Sequence, residues 1–554
     1  MAPLTDSRTL ALPSAIAAVG LLVFAGYSQA KATNAIAPAG PALAVPAPAS
    51  PNLVRNPGFD LPDAKNSAPE GYELTGAARW VTVGYQDEYA TPGITLESHP
   101  TGEPASGLVS QLVRGIDPRK GKWLRFTMRG LAEENFTVDK DQLFMKLEFY
   151  SKGGERSMDG AQRLIYREVT KDRKELGING KHLQGGGAVW RSYEFEELLP
   201  FPEVDTVRVS VGFKNGVAKS ERRAAFFVDD FSLTQQSASS RGLVDPADAP
   251  RPAAAPALAS VDGLIPLGGR WYYRAAKDET VPTNAQGQLN GPLQVTGANA
   301  DRLYYRDDRL GNPFAHNMAG WLQPGYLDRG GSPVTEARLV PDSVVLRFDG
   351  SGALAVRSKN LPNHPTAKFP DRYGTQGYNP NYIQEQSDTW YLPLQPVPNP
   401  DSSTLVPNGD TRALPMGPIG FAVNGVVFFN PFDMGQQDAT NLMDRCCGHP
   451  AQDYRYHYHK YPICVNTPFV DKGEGHSSLI GFAFDGYPVY GPYETAGEMA
   501  KDSTTNALNA FNGHEDKIRG WHYHVTPGKF PYILGGYYGK VDMRNFRRGP
   551  RPRG

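Results

Sequence analysis

The chain has 554 residues, more than one ordinary core accommodates, so two or three domains are expected. Its formal net charge of -1 excludes a global electrostatic case for nucleic acid. Gly 59, Pro 48 and 11% aromatic residues together favour loop-rich β domains over helical bundles.

Residues 1–30 carry Arg8, an apolar stretch over 10–24 and then Ser28-Gln29-Ala30. This is the pattern of a secretory signal cut near Ala30 or Ala32, and the apolar run is also long enough to serve as an uncleaved anchor. The chain is therefore expected to be exported, whether secreted, periplasmic or at the cell surface, with a membrane contact only through an uncleaved segment. Residues 31–51 form an Ala/Pro-rich linker that cannot bury a core.

Residues 52–234 read as strands and turns. Trp123-Leu124-Arg125-Phe126-Thr127-Met128, Leu143-Phe144-Met145-Lys146-Leu147-Glu148-Phe149-Tyr150 and Val207-Arg208-Val209-Ser210-Val211-Gly212-Phe213 alternate as half-buried strands do. A two-sheet jelly roll packs such strands. The segment opens on Asn52-Leu53-Val54-Arg55-Asn56-Pro57-Gly58-Phe59-Asp60 and closes on Phe226-Phe227-Val228-Asp229-Asp230-Phe231-Ser232-Leu233. At these ends it resembles the carbohydrate-binding-module jelly rolls of the galactose-binding-like class. The resemblance implies a sandwich that often binds glycans and holds a structural Ca²⁺ near its termini. Asp60 and Asp230 offer the hard oxygen ligands for that ion, against a reading as ordinary turn and strand-edge carboxylates. Trp80, Tyr85, Tyr89 and Trp190 are the candidate sugar platforms, each of which can also be core.

A second Pro/Ala linker spans 235–260. Residues 261–343 hold two short aromatic strands, Arg270-Trp271-Tyr272-Tyr273-Arg274 and Leu303-Tyr304-Tyr305-Arg306, and 312–327 has room for a short helix. No function is legible there.

The strongest signal lies further on. Tyr456-His457-Tyr458-His459 recurs as Trp521-His522-Tyr523-His524, placing four of the 11 histidines in two aromatic-His-Tyr-His units. On a strand, His457 and His459 share one face and the tyrosines the other, and the same holds for His522 and His524. If the two strands meet, four imidazoles converge on a site suited to Zn or Cu. The competing readings are histidines bonded to carbonyls in an aromatic core, or metal-free acid–base groups. Asp485, in an Asp-Gly turn, can reach inward as a ligand or orient a histidine; His449 and His476, each after a glycine, are further candidates, with His364 behind them. Of three cysteines, Cys446 and Cys447 are adjacent and Cys464 follows the first unit, so one disulfide bracketing that strand is expected, against a reading as buried free thiols.

Several ordered segments accompany the two units. They include Asn360-Leu361-Pro362-Asn363-His364, Gly417-Pro418-Ile419-Gly420-Phe421-Ala422-Val423-Asn424-Gly425-Val426, Cys447-Gly448-His449-Pro450, and the run from His476-Ser477-Ser478-Leu479 through Asp485-Gly486 to Gly491-Pro492. With Phe530-Pro531-Tyr532-Ile533-Leu534-Gly535, they make residues 344–542 resemble the YHYH-domain family. The resemblance implies a mostly β domain of exported proteins. Cysteines common in the family are replaced here by Phe511 and by Gly535 or Gly536, so that bridge is absent and Cys447 to Cys464 remains available, leaving Cys446 over. The tail 543–554 is basic, with Arg544, Arg547, Arg548, Arg551 and Arg553.

His-Glu-x-x-His, Gly-x-Ser-x-Gly and phosphate-loop motifs are absent. Three functions stay open: a glycan-binding modular protein with a His-lined metal pocket, a secreted metalloenzyme, and a structural surface protein without metal.

Overall fold

The computed structural model describes residues 50–81, 92–98, 105–132, 143–165, 190–216, 224–248, 251, 258, 260–308, 316–328, 337–370, 379–405, 413–432, 438–439, 443–468 and 471–546. The expected signal, nearly all of the first linker, Tyr85, Tyr89 and the tail arginines beyond Arg544 lie outside them. Among the described residues the regular structure is β strand with short 3₁₀ turns.

The alternating segments of 52–234 build two five-stranded antiparallel sheets. One runs Glu73–Gly76, Ala105–Arg114, Thr206–Gly216, Leu143–Ser151, Arg156–Leu164; the other runs Ala78–Val81, Gly93–Ser98, Ala224–Gln236, Trp123–Ala132, Arg191–Leu198. Their inward residues, among them Phe126, Leu147, Val209, Phe226 and Phe231, close one core, as period-2 patterning requires. Gln235 and Gln236, expected in the second linker, end a strand of this sandwich, and Glu196 ties down the following turn through Ser239 and Ser240.

Residues 261–343 do not form a separate body. Trp271–Tyr273 pairs with Leu303–Tyr305 as the aromatic runs suggest, and both feed a core that continues to Tyr537. In place of a helix, 316–328 holds one 3₁₀ turn, Met318–Gly320, between two short strands: Asn317 caps the turn through Ala319 N, and Trp321 is drawn into the core.

The C-terminal region is organised by an eight-stranded sheet. Edge to edge it runs Gly448–Pro450, Tyr456–Tyr458, Val427–Phe429, Pro418–Ala422, Leu479–Ala483, Pro488–Tyr490, Gly520–His524, Gly513–Asp516. The order is a palindrome. Each half has a hairpin, a parallel step and an outer hairpin, and the halves join where Phe421 pairs with Phe482. The sequences repeat accordingly. Ile419-Gly420-Phe421-Ala422-Val423-Asn424-Gly425 aligns with Ile480-Gly481-Phe482-Ala483-Phe484-Asp485-Gly486, and Gly448-His449 with Gly513-His514 at the same distance from each aromatic-His-Tyr-His unit. Gly425 (φ 82°) and Gly486 (φ 86°) occupy the left-handed turn that closes each inner hairpin.

The sandwich is docked on this domain. Lys460 pairs with Asp159 and donates to Gly160 O at 2.9 Å, Tyr493 donates to Glu203 at 2.8 Å, and Tyr461 stacks on Phe201. Tyr493 and Met499 enter the sandwich core itself.

Candidate metal centres

The outer hairpin of each half explains why three imidazoles meet. His449 stands directly opposite His457 across an antiparallel pair, and His459 follows two residues on along the same face. His457 Nε2 lies 2.9 Å from His459 Nε2, which lies 3.2 Å from His449 Nε2. In the second half His514 faces His522, and His522 Nε2 is 3.2 Å from both His514 Nε2 and His524 Nε2. His476 Nε2 joins at 3.3 Å.

The expectation of one shared site is therefore wrong. The two units sit on opposite outer hairpins with four strands between them, and each forms its own cluster. The halves meet through Pro418–Ala422 and Leu479–Ala483, so duplication separates the units.

Six of the imidazoles are oriented alike. Nδ1 faces a backbone carbonyl in His457 (Arg455 O, 3.0 Å), His459 (Asn430 O, 2.8 Å), His476 (Ser477 O, 2.9 Å), His514 (Asn506 O, 2.7 Å), His522 (Gly520 O, 2.8 Å) and His524 (Gly491 O, 2.6 Å). A carbonyl only accepts, so Nδ1 carries the proton and each Nε2 presents a lone pair. Burial, reinforced by neighbouring histidines, holds His457, His459 and His522 well below the ordinary imidazole range, and His476 down to about 2. These four rings are held neutral by that burial.

Glu494 completes the second cluster. Its Oε2 is buried 3.2 Å from His514 Nε2 and 3.4 Å from His524 Nε2. Burial works to raise its carboxyl, but the nearby His514, His524 and Asn506 outweigh that and hold it well below the usual carboxylate range. Neither Glu494 nor His514 stands out in the sequence. His514 was legible only as part of the Gly-His repeat.

The fit to a metal follows from the spacing. Two nitrogens about 2.0–2.1 Å from one ion at angles of roughly 90–110° stand about 2.8–3.4 Å apart. The observed contacts, 2.9 to 3.3 Å, lie in that interval. Neutral lone pairs held that close repel unless a cation sits between them.

The first cluster lines a cavity of about 650 Å³, walled by Phe429, Phe432, Trp390, Met416 and Phe546. Phe429 stacks on His457 with ring centroids 3.7 Å apart. Among the described residues no fourth His, Cys, Asp or Glu joins this trio. The 430 Å³ cavity beside the second cluster is lined by Arg519, Gly520 and Trp521, not by its imidazoles.

Other expected residues fall elsewhere. Asp485 is not with the imidazoles: its carboxylate accepts from Tyr523 OH (2.6 Å), Gly539 N (2.9 Å) and Tyr487 N (3.2 Å). It is the counterpart of Asn424, which donates to Tyr458 OH, so both positions anchor the tyrosine at the third place of a unit. His364 is buried against Tyr458 OH, with burial pushing it down to about 4. The disulfide joins Cys446 to Cys464, with Cα atoms 5.2 Å apart, and the expected Cys447 partner is the buried free thiol. Cys447 has a left-handed backbone (φ 65°) in the turn organised by Asp444, which faces it away from Cys464. The sulfurs beside His364 are thereby spent as metal ligands.

On the sandwich, Trp80 donates to Phe59 O and packs on the core. Trp190 is half-buried on an outer cluster of Leu131, Ala225 and Phe227, with Arg129 5.4 Å from its ring. Asp230 pairs with Arg129 at 3.4 Å, Asp60 is exposed, and neither belongs to a cluster of three ligating groups among the described residues.

Fold and site together define a mostly β protein in which a jelly-roll sandwich is docked on a duplicated, histidine-lined sheet. The sequence model of the YHYH protein family matches residues 389–507, so the C-terminal region carries a YHYH domain. The match includes His449, His457, His459, His476 and Glu494 and ends before His514. No curated protein matches the chain. Among solved structures it is similar to the enzymatically active domain of tailspike protein 4 of bacteriophage CBA120, at 10% identity over 33% of this chain, with a TM-score of 0.22. The chain spans 21% of that domain. It is also similar to a carbohydrate-binding module specific for non-crystalline cellulose (10% identity, 34% of this chain, 99% of that one, TM-score 0.21). A third is the K1 cleaved adhesin domain of Lys-gingipain from Porphyromonas gingivalis (11% identity, 32% and 96%, TM-score 0.19).

Proposed function

We propose that this is an exported metal-binding protein whose YHYH domain holds two transition-metal ions, one in each half of the duplicated sheet. The observation that carries the reading is the set of Nε2 atoms 2.9 to 3.3 Å apart, six of the seven rings being fixed by an Nδ1–carbonyl contact on the far side. His449, His457 and His459 hold one ion; His514, His522 and His524, with His476 and Glu494 at hand, hold the other. Imidazole donors with one carboxylate suit Zn or Cu. Export is supported by the Cys446–Cys464 disulfide, a bond that persists in oxidising compartments, together with the apolar N-terminal segment. The test is isothermal titration of metal-stripped protein with Zn²⁺ and Cu²⁺. Two bound equivalents support the reading, and none overturns it.

The sandwich is proposed to bind glycan as a docked platform. Its half-buried Trp190, with Arg129 alongside, is the described aromatic placed to stack on a sugar. Affinity electrophoresis in soluble polysaccharides tests this; retardation that Trp190→Ala leaves unchanged removes Trp190 from the site.

A further inference from the structure

The metal centres use neither the two aromatic strands of residues 261–343 nor Trp521, which heads the second aromatic-His-Tyr-His unit on the face away from its histidines. The fold brings them together on the 430 Å³ cavity, where those strands meet the second half of the duplicated sheet. Trp271 stands opposite Tyr305 across the antiparallel pair, their rings 4.9 Å apart, and both line the cavity. Trp521 stacks on Tyr538 with centroids 3.9 Å apart and planes 6° from parallel, and Tyr487 meets Trp521 edge-on; these three form an aromatic wall. Arg270, next to Trp271, and Arg519, two residues before Trp521, add guanidinium groups.

The polar side chains of this wall are mostly donors. Trp271 is 5% exposed and Tyr305 3%, yet the Trp271 Nε1–H and the Tyr305 hydroxyl make no hydrogen bond with any described residue. A donor buried without a partner costs about 1–3 kcal/mol, so two of them beside a cavity call for a ligand that accepts. Burial pushes the Tyr305 hydroxyl up from its ordinary range, which keeps its proton in place for donation. Arg270 donates to the carbonyls of Asp307 and Arg519 and pairs with no carboxylate among the described residues; Arg519 spends one nitrogen on Asp516. Glu515, exposed, is the acidic member of the wall.

We propose that this cavity binds a uronic acid, a sugar ring that carries a carboxylate. The forked donors of Arg270 and Arg519 suit the carboxylate, and the aromatic wall suits the C–H face of the ring. Trp271 and Tyr305 serve its ring and hydroxyl oxygens, and Glu515 accepts from a hydroxyl. Guanidinium groups without the aromatic wall would take any oxyanion, and the wall without guanidinium groups any neutral sugar; together they select the charged sugar. The volume falls within the roughly 300–1,000 Å³ of small-molecule sites. None of these residues belongs to either imidazole cluster, so the site stands whether or not metal binds.

The experiment is isothermal titration of the full chain, with and without chelator, using glucuronate, galacturonate and their trisaccharides beside glucose, maltotriose and benzoate. At least one uronate should bind about tenfold or more tightly than its neutral counterpart, in both conditions. Arg270→Gln should abolish that preference. Tyr305→Phe removes only a hydroxyl that bonds no described residue, so its urea midpoint should match wild type while uronate affinity falls roughly three- to tenfold; this variant decides the matter if Arg270→Gln fails to fold. Binding of no uronate, binding no tighter than that of neutral sugars, or an affinity unchanged in Tyr305→Phe would overturn the proposal. So would benzoate binding as tightly as the uronates, which would make the sugar ring irrelevant. Affinity lost in Trp190→Ala instead would place the sugar on the sandwich, and affinity lost with chelator would place the carboxylate on a bound ion; either result contradicts a site in this cavity.

Discussion

Lys460 follows His459 directly and carries the docking of the sandwich onto the YHYH domain. Its side chain is 5% exposed and that of Asp159 is 4% exposed; the two pair while Lys460 also donates to Gly160 O at 2.9 Å. Burial works against the ammonium charge, yet Asp159 outweighs it and raises Lys460 to about 12. Lys460→Met leaves the Asp159 carboxylate buried without its cation, and removing one partner of a buried pair costs about 3–5 kcal/mol. Replacing both partners with apolar residues removes that penalty, so Lys460→Met/Asp159→Leu should be destabilised by much less than Lys460→Met alone. Urea unfolding of the full chain, followed by tryptophan fluorescence with chelator present, reads the difference. A loss under about 1 kcal/mol for Lys460→Met, the range of an exposed pair, would refute the reasoning. So would a double variant whose cost is the sum of the singles.

Asp485 gives a pH signature. Burial pushes its carboxyl from 3.8 up to about 6, against hydrogen bonds from Tyr523, Gly539 and Tyr487. The folded state then holds the proton more tightly than the unfolded chain, so its contribution to stability is complete below about pH 4 and lost as pH rises through about 6. Between those limits wild type should lose about 3 kcal/mol relative to Asp485→Asn, and parallel pH–stability curves would contradict this. Gly425→Ala combines a left-handed φ of 82° with a new Cβ 2.3 Å from Val344 Cγ2, and should cost roughly 2 kcal/mol or more in chemical denaturation. Alkylation of the unreduced, denatured chain should label Cys447 alone; label on Cys446 in peptide mapping would restore the pairing expected from the sequence.

The sandwich was legible because alternation over Trp123–Ala132 and Leu143–Ser151 has one structural meaning when both sheets bury one face. That His457 and His459 share a face was likewise fixed by strand periodicity. What was not legible is which strands meet. The tetrapeptide repeat invites a shared site, but it is the end of a longer repeat whose palindromic sheet holds the copies on opposite outer hairpins. His514 is hidden because it depends on cross-strand register with His522, and Glu494 because it sits on a short strand, Tyr493–Thr495, outside the eight-stranded sheet. Asp485 misled for the opposite reason: an Asp-Gly turn fits a ligand or an anchor equally, and only the position of Tyr523 decides. Adjacent Cys446 and Cys447 are alike in sequence; the backbone φ of 65° at Cys447 separates them.

The most direct test of two separate metal centres is elemental analysis by mass spectrometry of the purified full chain, beside His457→Ala and His522→Ala. Two equivalents of transition metal in wild type and one in each variant is the predicted result. A single equivalent lost in both variants would mean one shared site, and no metal in any of the three would return the histidines to the β core.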